Sequence, residues 1–484
     1  MPSKTFINST PAVLSQFGIK RLNNRYMKRI FCILAVLSLC CFTVFCGKDK
    51  TPKEDGTEQE NVTPVDSTDT NKPEPPAPQP PADPVFSPEG SIENDITYAY
   101  VNCGEYEKFG DKSFFNDPVV KATADLYKWK ADDPKEIAIT WDGDAATEYV
   151  VSLSTPEGPW YEETVTGNKY SVTNLIPGVT YTYNVTAAGS PVKDGSFTPT
   201  GKVRMVNIPC SWNYRDHGGW AGLEGKPIKY GWIYRGGCLC GYFIGKDGTD
   251  EPYSKEFYTV PDSMSTAIKR IGIKAELDLR DYPKQTGIWG DEHSAHGISL
   301  MESRFEGVDF MQIMTDLALY YPFQRSAFVQ DVAWIIYEVR KGCPVAYHCR
   351  SGADRTGGLG LLIGGLLGMS QSDLQKDYEL TSISTEKKEI KTRYASAISG
   401  SYEFLSTSKG IFKVEGDTFQ EKCYRYLNQQ FSDVRINADD LDWFIKFMLD
   451  LDSYEQPSWA KNYEDNSLES IFNKKDGSAL DVKP

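Results

Sequence analysis

The 484-residue chain reads as an α/β protein, a central sheet flanked by helices, preceded by a β-sandwich domain. Three observations carry that reading. Residues 345–348 form a short apolar strand that passes through Cys349 and a tight turn into an apolar stretch of helical character. Residues 136–185 hold short alternating runs separated by Asp142-Gly143, Pro156-Glu157-Gly158 and Pro177-Gly178. Residues before 91 lack the mixture of apolar and polar positions that either element needs.

At this length two folded units with tails are expected. Hydrophobic residues make up 40% and aromatic residues 13%, enough to build cores. The formal charge of −15 argues against nucleic acid or an anionic membrane as a partner attracted by the net field.

The elements follow in chain order. Met27-Lys28-Arg29 precedes an uncharged run from Ile30 to Phe45, which Cys46-Gly47-Lys48-Asp49 ends. A basic start before an apolar core of this size reads as an export segment over 1–46, and translation starting at Met27 fits it equally. The run is short for a relaxed membrane-spanning helix, which needs about 18–20 residues. It resembles a bacterial lipoprotein signal with Cys46 as the lipidated residue. Cys40 and Cys41 are competing sites, and a plain secretory signal or an uncleaved anchor are the alternatives. The resemblance implies an extracytoplasmic protein held by a lipid anchor on the periplasmic or cell-surface side of a bacterial membrane. Residues 47–90 are dominated by Pro, Glu, Asp, Thr and Lys, a composition that cannot bury enough surface to fold. They are expected to be a disordered, Pro-rich tether.

Residues 91–204 read as β-rich. Strands are expected over 136–141, 148–153, 170–175 and 181–185, each bounded by turn residues. Trp141 together with Leu175-x-Pro177-Gly178-x-x-Tyr181-x-Tyr183-x-Val185 resembles a fibronectin type III module, with a tyrosine corner at Tyr181 or Tyr183. The unit holds no catalytic cluster and reads as a spacer or protein-binding module. The alternative is carbohydrate binding by Trp160 and Tyr161.

Residues 205–455 alternate between strand and helix patterns. Strands are expected over 274–279 and 344–348, and helices over 263–271, 325–340, 357–367, 372–381, 420–430 and 438–451. Phe328, Val332, Ile335, Ile336 and Val339 lie at helical spacing and belong to the core. Residues 456–484 are polar and expected to be a loosely held tail. An odd number of cysteines follows Cys46, which leaves room for a free reactive thiol in an exported chain. Cys238, Cys240 and Cys343 read as packed thiols, and no zinc spacing is present.

The chemistry lies in Val345-Ala346-Tyr347-His348-Cys349-Arg350-Ser351-Gly352-Ala353-Asp354-Arg355-Thr356-Gly357. A cysteine between a strand and a helix N-terminus sits where partial positive charge and free N–H groups gather. That field favours a thiolate. An arginine at the far end of the turn can fork two N–H bonds onto a phosphoryl group. Gly352 lets the backbone come close to the oxygens.

This stretch resembles the His-Cys-x-x-Gly-x-x-Arg-Thr loop of the cysteine-dependent protein tyrosine phosphatases. Its ending is similar to the bacterial subfamily whose loop reads His-Cys-x-x-Gly-Lys-Asp-Arg-Thr-Gly. Four further pieces match in order. Asn213-Tyr214-Arg215-Asp216-His217-Gly218-Gly219 resembles Asn-Phe-Arg-Asp-Leu-Gly-Gly, and Tyr234-Arg235-Gly236 resembles Tyr-Arg-Ser. Ile271 to Asp281 resembles the strand ending Asp-Leu-Arg, and Asp377-Tyr378-Glu379-Leu380-Thr381 resembles Asp-Tyr-x-Leu-Ser.

The resemblance implies a tyrosine-phosphatase-like fold and hydrolysis of phosphoric monoesters through a phosphocysteine. Cys349 is then the nucleophile. Arg355 binds oxyanions together with the loop residues Arg350, Ser351, Gly352, Ala353 and Thr356, and His348 orients the loop. No cofactor or metal is called for. Asp354 is the first candidate for the acid that protonates the leaving group, with Asp316, Asp281 and Asp309 as alternatives. Ala353 stands where the subfamily has lysine, which removes a positive charge and speaks against highly anionic phosphoinositides, although Arg350 restores a charge nearby. The implied partner is a phosphorylated protein or a small phosphomonoester. Inositol phosphates and a catalytically silent phosphate-binding scaffold are the alternatives.

Overall fold

The computed structural model describes residues 82–105, 109–110, 113, 116–127, 133–209, 211–239, 262–280, 305–313, 326–349, 351–384, 414–429, 431, 434–464 and 467–472. The export segment with Cys46 and most of the expected tether lie outside these residues. Among the described residues, no helix is long and apolar enough to cross a membrane.

The first elements correct the β-rich expectation for 91–204. Helix α1 spans Asp95–Asn102, and its N-cap Asn94 accepts from the Thr97 N–H at 2.8 Å. Helix α2 spans Pro118–Tyr127 and starts as an Asp-Pro sequence should, with Asp117 Oδ1 accepting from the Val119 N–H at 2.9 Å. Ile96, Tyr100 and Val120 join the same buried cluster as Leu359, Leu366 and Phe444. The helices therefore belong to the core of the α/β unit.

Between them and that unit lie six antiparallel strands. Strands β1 (Ile137–Thr140) and β4 (Lys169–Val172) pair with each other. Strands β2 (Glu148–Thr155), β3 (Gly158–Thr166), β5 (Tyr181–Ala187) and β6 (Ser190–Phe197) form a second sheet in the order β3-β2-β5-β6. Along β2 the inward positions Tyr149, Val151 and Leu153 alternate with less buried ones. They share one core with Ile139, Trp141, Val172, Leu175, Tyr181 and Val185, drawn from both sheets. The buried Tyr181 hydroxyl accepts from the Ile176 N–H at 2.9 Å. β3 and β6 were not foreseen: β6 is largely exposed and has few apolar residues to mark it.

The α/β unit is built on a five-stranded sheet in the order β10-β9-β11-β8-β7. Its strands are β7 (Arg215–Asp216), β8 (Ile233–Gly236), β9 (Ala275–Asp278), β10 (Asp309–Gln312) and β11 (Val345–His348). The first four in that order run parallel, and β7 is antiparallel to β8. β8, β9 and β11 are buried along their whole length, as parallel strands covered on both faces must be. The helices are α3 (Asp262–Ile271), α4 (Ala327–Arg340), α5 (Asp354–Leu366), α6 (Gln371–Glu379), α7 (Phe419–Gln429) and α8 (Ala438–Leu449). α5 is buried on every side and packs against α6 and α7.

The end of the chain also differs from expectation. Trp459 meets Tyr424 edge-on at 5.4 Å and lies under Arg425, while Asn428 Nδ2 donates to the Lys461 carbonyl at 2.8 Å. A short helix α9 (Leu468–Phe472) packs against α4. Apolar anchors within an otherwise polar segment hold residues 456–464 and 467–472 on the core.

Candidate active site

Strand register places the candidate nucleophile. His348 pairs level with Gly236 of β8 and Asp278 of β9, so Cys349 leaves the sheet at the C-terminal edge of its parallel strands. That edge is where open α/β sheets form ligand crevices. Residues 351–353 turn the chain, and α5 begins at Asp354. Gly352 has φ +67°, and a Cβ there would lie 2.4 Å from the Gly236 carbonyl carbon. The loop thus touches the end of β8 backbone to backbone, which only glycine allows. The Cys349 N–H donates to Thr356 Oγ1 at 2.9 Å. That bond ties the start of the loop to the first turn of α5 and holds the buried Cys349 at a helix N-terminus.

The other predicted site residues gather at the same edge. Arg355 is buried in the first turn of α5, and its Nη1 donates to the Leu279 carbonyl at 3.2 Å. Asp354 is half-buried, and its Oδ1 accepts from the Tyr378 hydroxyl of α6 at 3.2 Å. Ser351, Gly352 and Ala353 form the turn that leads into Asp354. Arg350, Asp281 and Asp316 lie outside the described residues.

Asp309 is displaced from the site. It opens β10 level with Ala275, which is level with Val345 at the start of β11. Three strand residues, about 10 Å, separate that level from His348. Asp309 is instead held by Lys341 at 2.6 Å, so it drops out as the acid. Asp309, Glu338 and Cys343 come close enough to one another to suggest a metal site, but Lys341 Nζ already binds both carboxylates there.

His348 is wholly buried. Its Nε2 lies 3.0 Å from Glu276 Oε1, and its Nδ1 lies 3.2 Å from the Cys349 carbonyl oxygen. The backbone contact fits an orienting role; the carboxylate from the neighbouring strand was not foreseen. Beside it Arg280 grips Asp278 through Nε at 2.8 Å and Nη2 at 2.7 Å. Burial pushes the Asp278 carboxyl up, but the Arg280 guanidinium and His348 hold it well below the usual carboxylate range.

A second buried network braces the loop from the other side. Asn213 Nδ2 lies 3.1 Å from both the Ser351 and the Gly352 carbonyl oxygens and 3.2 Å from Thr381 Oγ1. Arg215 Nη1 donates to Asn213 Oδ1 at 2.7 Å, and its Nε donates to Asp377 Oδ1 at 2.9 Å. Arg235 also pairs with Asp377 through Nη1, and its Nη2 lies 3.4 Å from the Gly352 carbonyl oxygen. Burial raises the Asp377 carboxyl, but the two guanidiniums outweigh it and keep the group far below its ordinary range. Burial and the neighbouring Arg235 bring the Arg215 guanidinium down to about 10. Asn213, Arg215, Arg235, Asp377 and Tyr378 all fall in stretches that resemble the family, but their roles were not read from the sequence. Their flanking residues are themselves largely polar or aromatic, so the sequence carried no signal beyond that resemblance; such charged residues are buried only when paired.

Trp160 and Tyr161 are engaged against α3. Trp160 Nε1 donates to the Arg270 carbonyl at 2.9 Å, and the Arg270 guanidinium lies 4.1 Å from the Tyr161 ring centre. Arg270 also pairs with Glu163 at 2.6 Å. These aromatics join the β unit to the α/β unit and are only partly buried. Cys238 is buried, and Cys240 lies outside the described residues; Cys343 is only partly buried, and burial raises its thiol above the ordinary range.

A family profile described as the tyrosine phosphatase family matches residues 206–464, more than half of the chain. No curated protein sequence matches it. Among solved structures, the crystal structure of Tk-PTP in the active form is similar at 16% identity, covering 29% of this chain and 81% of that one, with a TM-score of 0.17. An overlap that slight does not bear on the fold. The matched residues contain the whole parallel sheet, the loop from Cys349 to Thr356 and both buried networks around it, and the chain belongs to the tyrosine phosphatase family.

Proposed function

We propose that the protein hydrolyses phosphoric monoesters through a phosphocysteine intermediate on Cys349. The observation that carries this reading is the seat of Cys349: at the C-terminal edge of a parallel strand, at the N-terminus of α5, bonded to Thr356. The thiolate attacks phosphorus, the S–P bond forms and the bond to the leaving oxygen breaks. Asp354 delivers the proton that the leaving oxygen needs. Water then attacks phosphorus, the S–P bond breaks, Asp354 takes the proton, and phosphate departs. Dividing one displacement into two is the gain of covalent catalysis. Arg355 and the loop N–H groups hold the equatorial oxygens, whose charge spreads in a loose transition state.

The substrate is a phosphorylated protein of the tyrosine or dual-specificity type, or a small phosphomonoester. An inositol phosphate or phosphoinositide is the second reading of the same mechanism, and Ala353 in place of lysine weakens it. The test is a panel of phosphomonoesters assayed without added metal, with Cys349→Ser alongside. Loss of turnover with retained vanadate binding supports the reading. Wild-type turnover by the serine variant overturns it. Oxyanion binding without turnover by the native chain would mean a phosphate-binding scaffold.

Two further parts of the reading rest on sequence. The strands of 137–197 support a fibronectin type III-like module that spaces or docks the phosphatase unit. The basic start and uncharged run before Cys46 support a lipidated, extracytoplasmic protein on a tether. A lipoprotein cysteine carrying two or more acyl chains would anchor firmly, where one chain holds only marginally. Mass spectrometry of the membrane fraction decides it: an unmodified Cys46 in an uncleaved chain refutes both lipidation and processing.

A further inference from the structure

We infer that Asn213 is a positioning residue that fixes the direction of the loop peptides, so that the N–H groups of Gly352 and Ala353 are available to the phosphoryl oxygens. The inference rests on the function proposed above and adds a residue to it.

The argument starts from the peptide bond. In a planar trans peptide the carbonyl of one residue and the N–H of the next point in opposite directions. The carbonyls of Ser351 and Gly352 both point at Asn213 Nδ2, at 3.1 Å each. The N–H groups of Gly352 and Ala353 share those two peptides, so they point to the opposite side of the loop. Without a donor behind the loop, either peptide could turn over and present a carbonyl oxygen to the anion. Gly352 is the place where turning over costs least, because glycine accepts either sign of φ; here it has φ +67°.

Asn213 is itself held for this task. Its φ of +58° is in the left-handed region, which asparagine tolerates better than most residues. Its Oδ1 accepts from Arg215, which settles that the nitrogen, and not the oxygen, faces the loop. Arg215 is in turn fixed by Asp377, and Asp377 also holds Arg235, which reaches the Gly352 carbonyl from a second direction. The amide is 1% exposed, so water does not compete for the two carbonyls.

Asn213→Asp keeps the size, the tolerance for positive φ and the acceptor toward Arg215, but replaces the two N–H donors with an oxygen facing two carbonyls. Asn213→Gly suits the same φ and only deletes the donors, which covers the case in which the aspartate variant does not fold. The readout is tungstate affinity by titration calorimetry, which needs no turnover, together with kcat and KM on p-nitrophenyl phosphate. The expected result is a loss of about 10²-fold in tungstate affinity for Asn213→Asp and about 10-fold for Asn213→Gly, the range that buried carbonyls left without their donor produce. A core variant, Leu441→Ala, serves as the control: it lowers the thermal midpoint without moving the affinity. Tungstate affinity within threefold of the native value in a folded Asn213 variant overturns the inference. Native protein that binds tungstate but hydrolyses nothing overturns the proposed function while leaving this test readable. Native protein that binds no oxyanion overturns both.

Discussion

Gly352→Ala is the sharpest test of the loop geometry, because both of its penalties can be read from the structure. An alanine at φ +67° sits in the left-handed region, which costs about 1–2 kcal/mol. Its Cβ would then lie 2.4 Å from the Gly236 carbonyl carbon, 2.5 Å from that oxygen and 2.7 Å from the Gly237 nitrogen. Carbon atoms pack at about 3.5 Å, so the shortfall is about 1 Å. All three opposing atoms are backbone, and no rotamer change relieves the overlap. The loop must move by about that distance, and overpacking of this kind adds about 1–3 kcal/mol to the destabilisation. A displacement of about 1 Å at reacting groups costs about 10² in rate. The assay is kcat/KM on an aryl phosphate beside a urea titration. Gly272→Ala is the matched control: Gly272 has φ +81° with open space around a Cβ, so it carries the conformational cost without the clash. It should lose about 1–2 kcal/mol of stability and keep its turnover. A folded Gly352→Ala protein with turnover within threefold of native would refute the close approach of the loop to β8.

Asp354→Asn should slow substrates with poor leaving groups most and nitrophenyl esters least, and flatten the high-pH limb of the rate profile. If Asp316→Asn gives that pattern instead, the acid is Asp316. Acid should destabilise the fold in two stages. Burial pushes the His217 imidazole down to about 3, so it stays neutral in the fold while the unfolded chain takes up a proton below about pH 6.5. Its contribution is therefore whole above about pH 6.5 and declines toward pH 3, by about 2 kcal/mol at pH 5. Asp377, held below its ordinary value by two guanidiniums after burial is overcome, adds a second loss as pH falls below about 4. Urea titrations at pH 7.5 and 5.0 check the first stage. The difference should shrink in His217→Phe, and an undiminished difference would place its origin elsewhere.

Local chemistry made much of the architecture legible. The helix expected over 263–271 is Asp262–Ile271, and that over 438–451 is Ala438–Leu449, because amphipathic spacing and end residues act within a few turns. The strand at 344–348 is Val345–His348, ended by the loop that the cysteine motif required. Where apolar pattern was weak, reading failed. β6 carries Ser190-Pro191-Val192-Lys193-Asp194-Gly195 and is placed by pairing with β5, not by its own residues. Residues 95–102 and 118–127 were expected to follow their β-rich neighbours. They are helices because Asn94 and Asp117 cap them and Tyr100, through its hydroxyl bond of 2.6 Å to Glu379, joins the α/β core.

The sequence by itself determined the loop. Cys349, Gly352, Arg355 and Thr356 lie within eight consecutive positions, and a strand before them with a helix after them dictates a turn at a helix N-terminus. Tertiary structure decided what holds that turn. Glu276 reaches His348 across 72 residues, and Asp377 gathers Arg215 and Arg235 across 162 and 142. It also removed Asp309 from the candidate acids, since only strand register shows that this residue stands at the far end of the sheet. The physical reason is reach. Propensity, capping and steric limits act over a few residues and leave their mark in the local string. Burial of a carboxylate between two guanidiniums depends on which distant strands and helices meet, and no local pattern encodes that meeting.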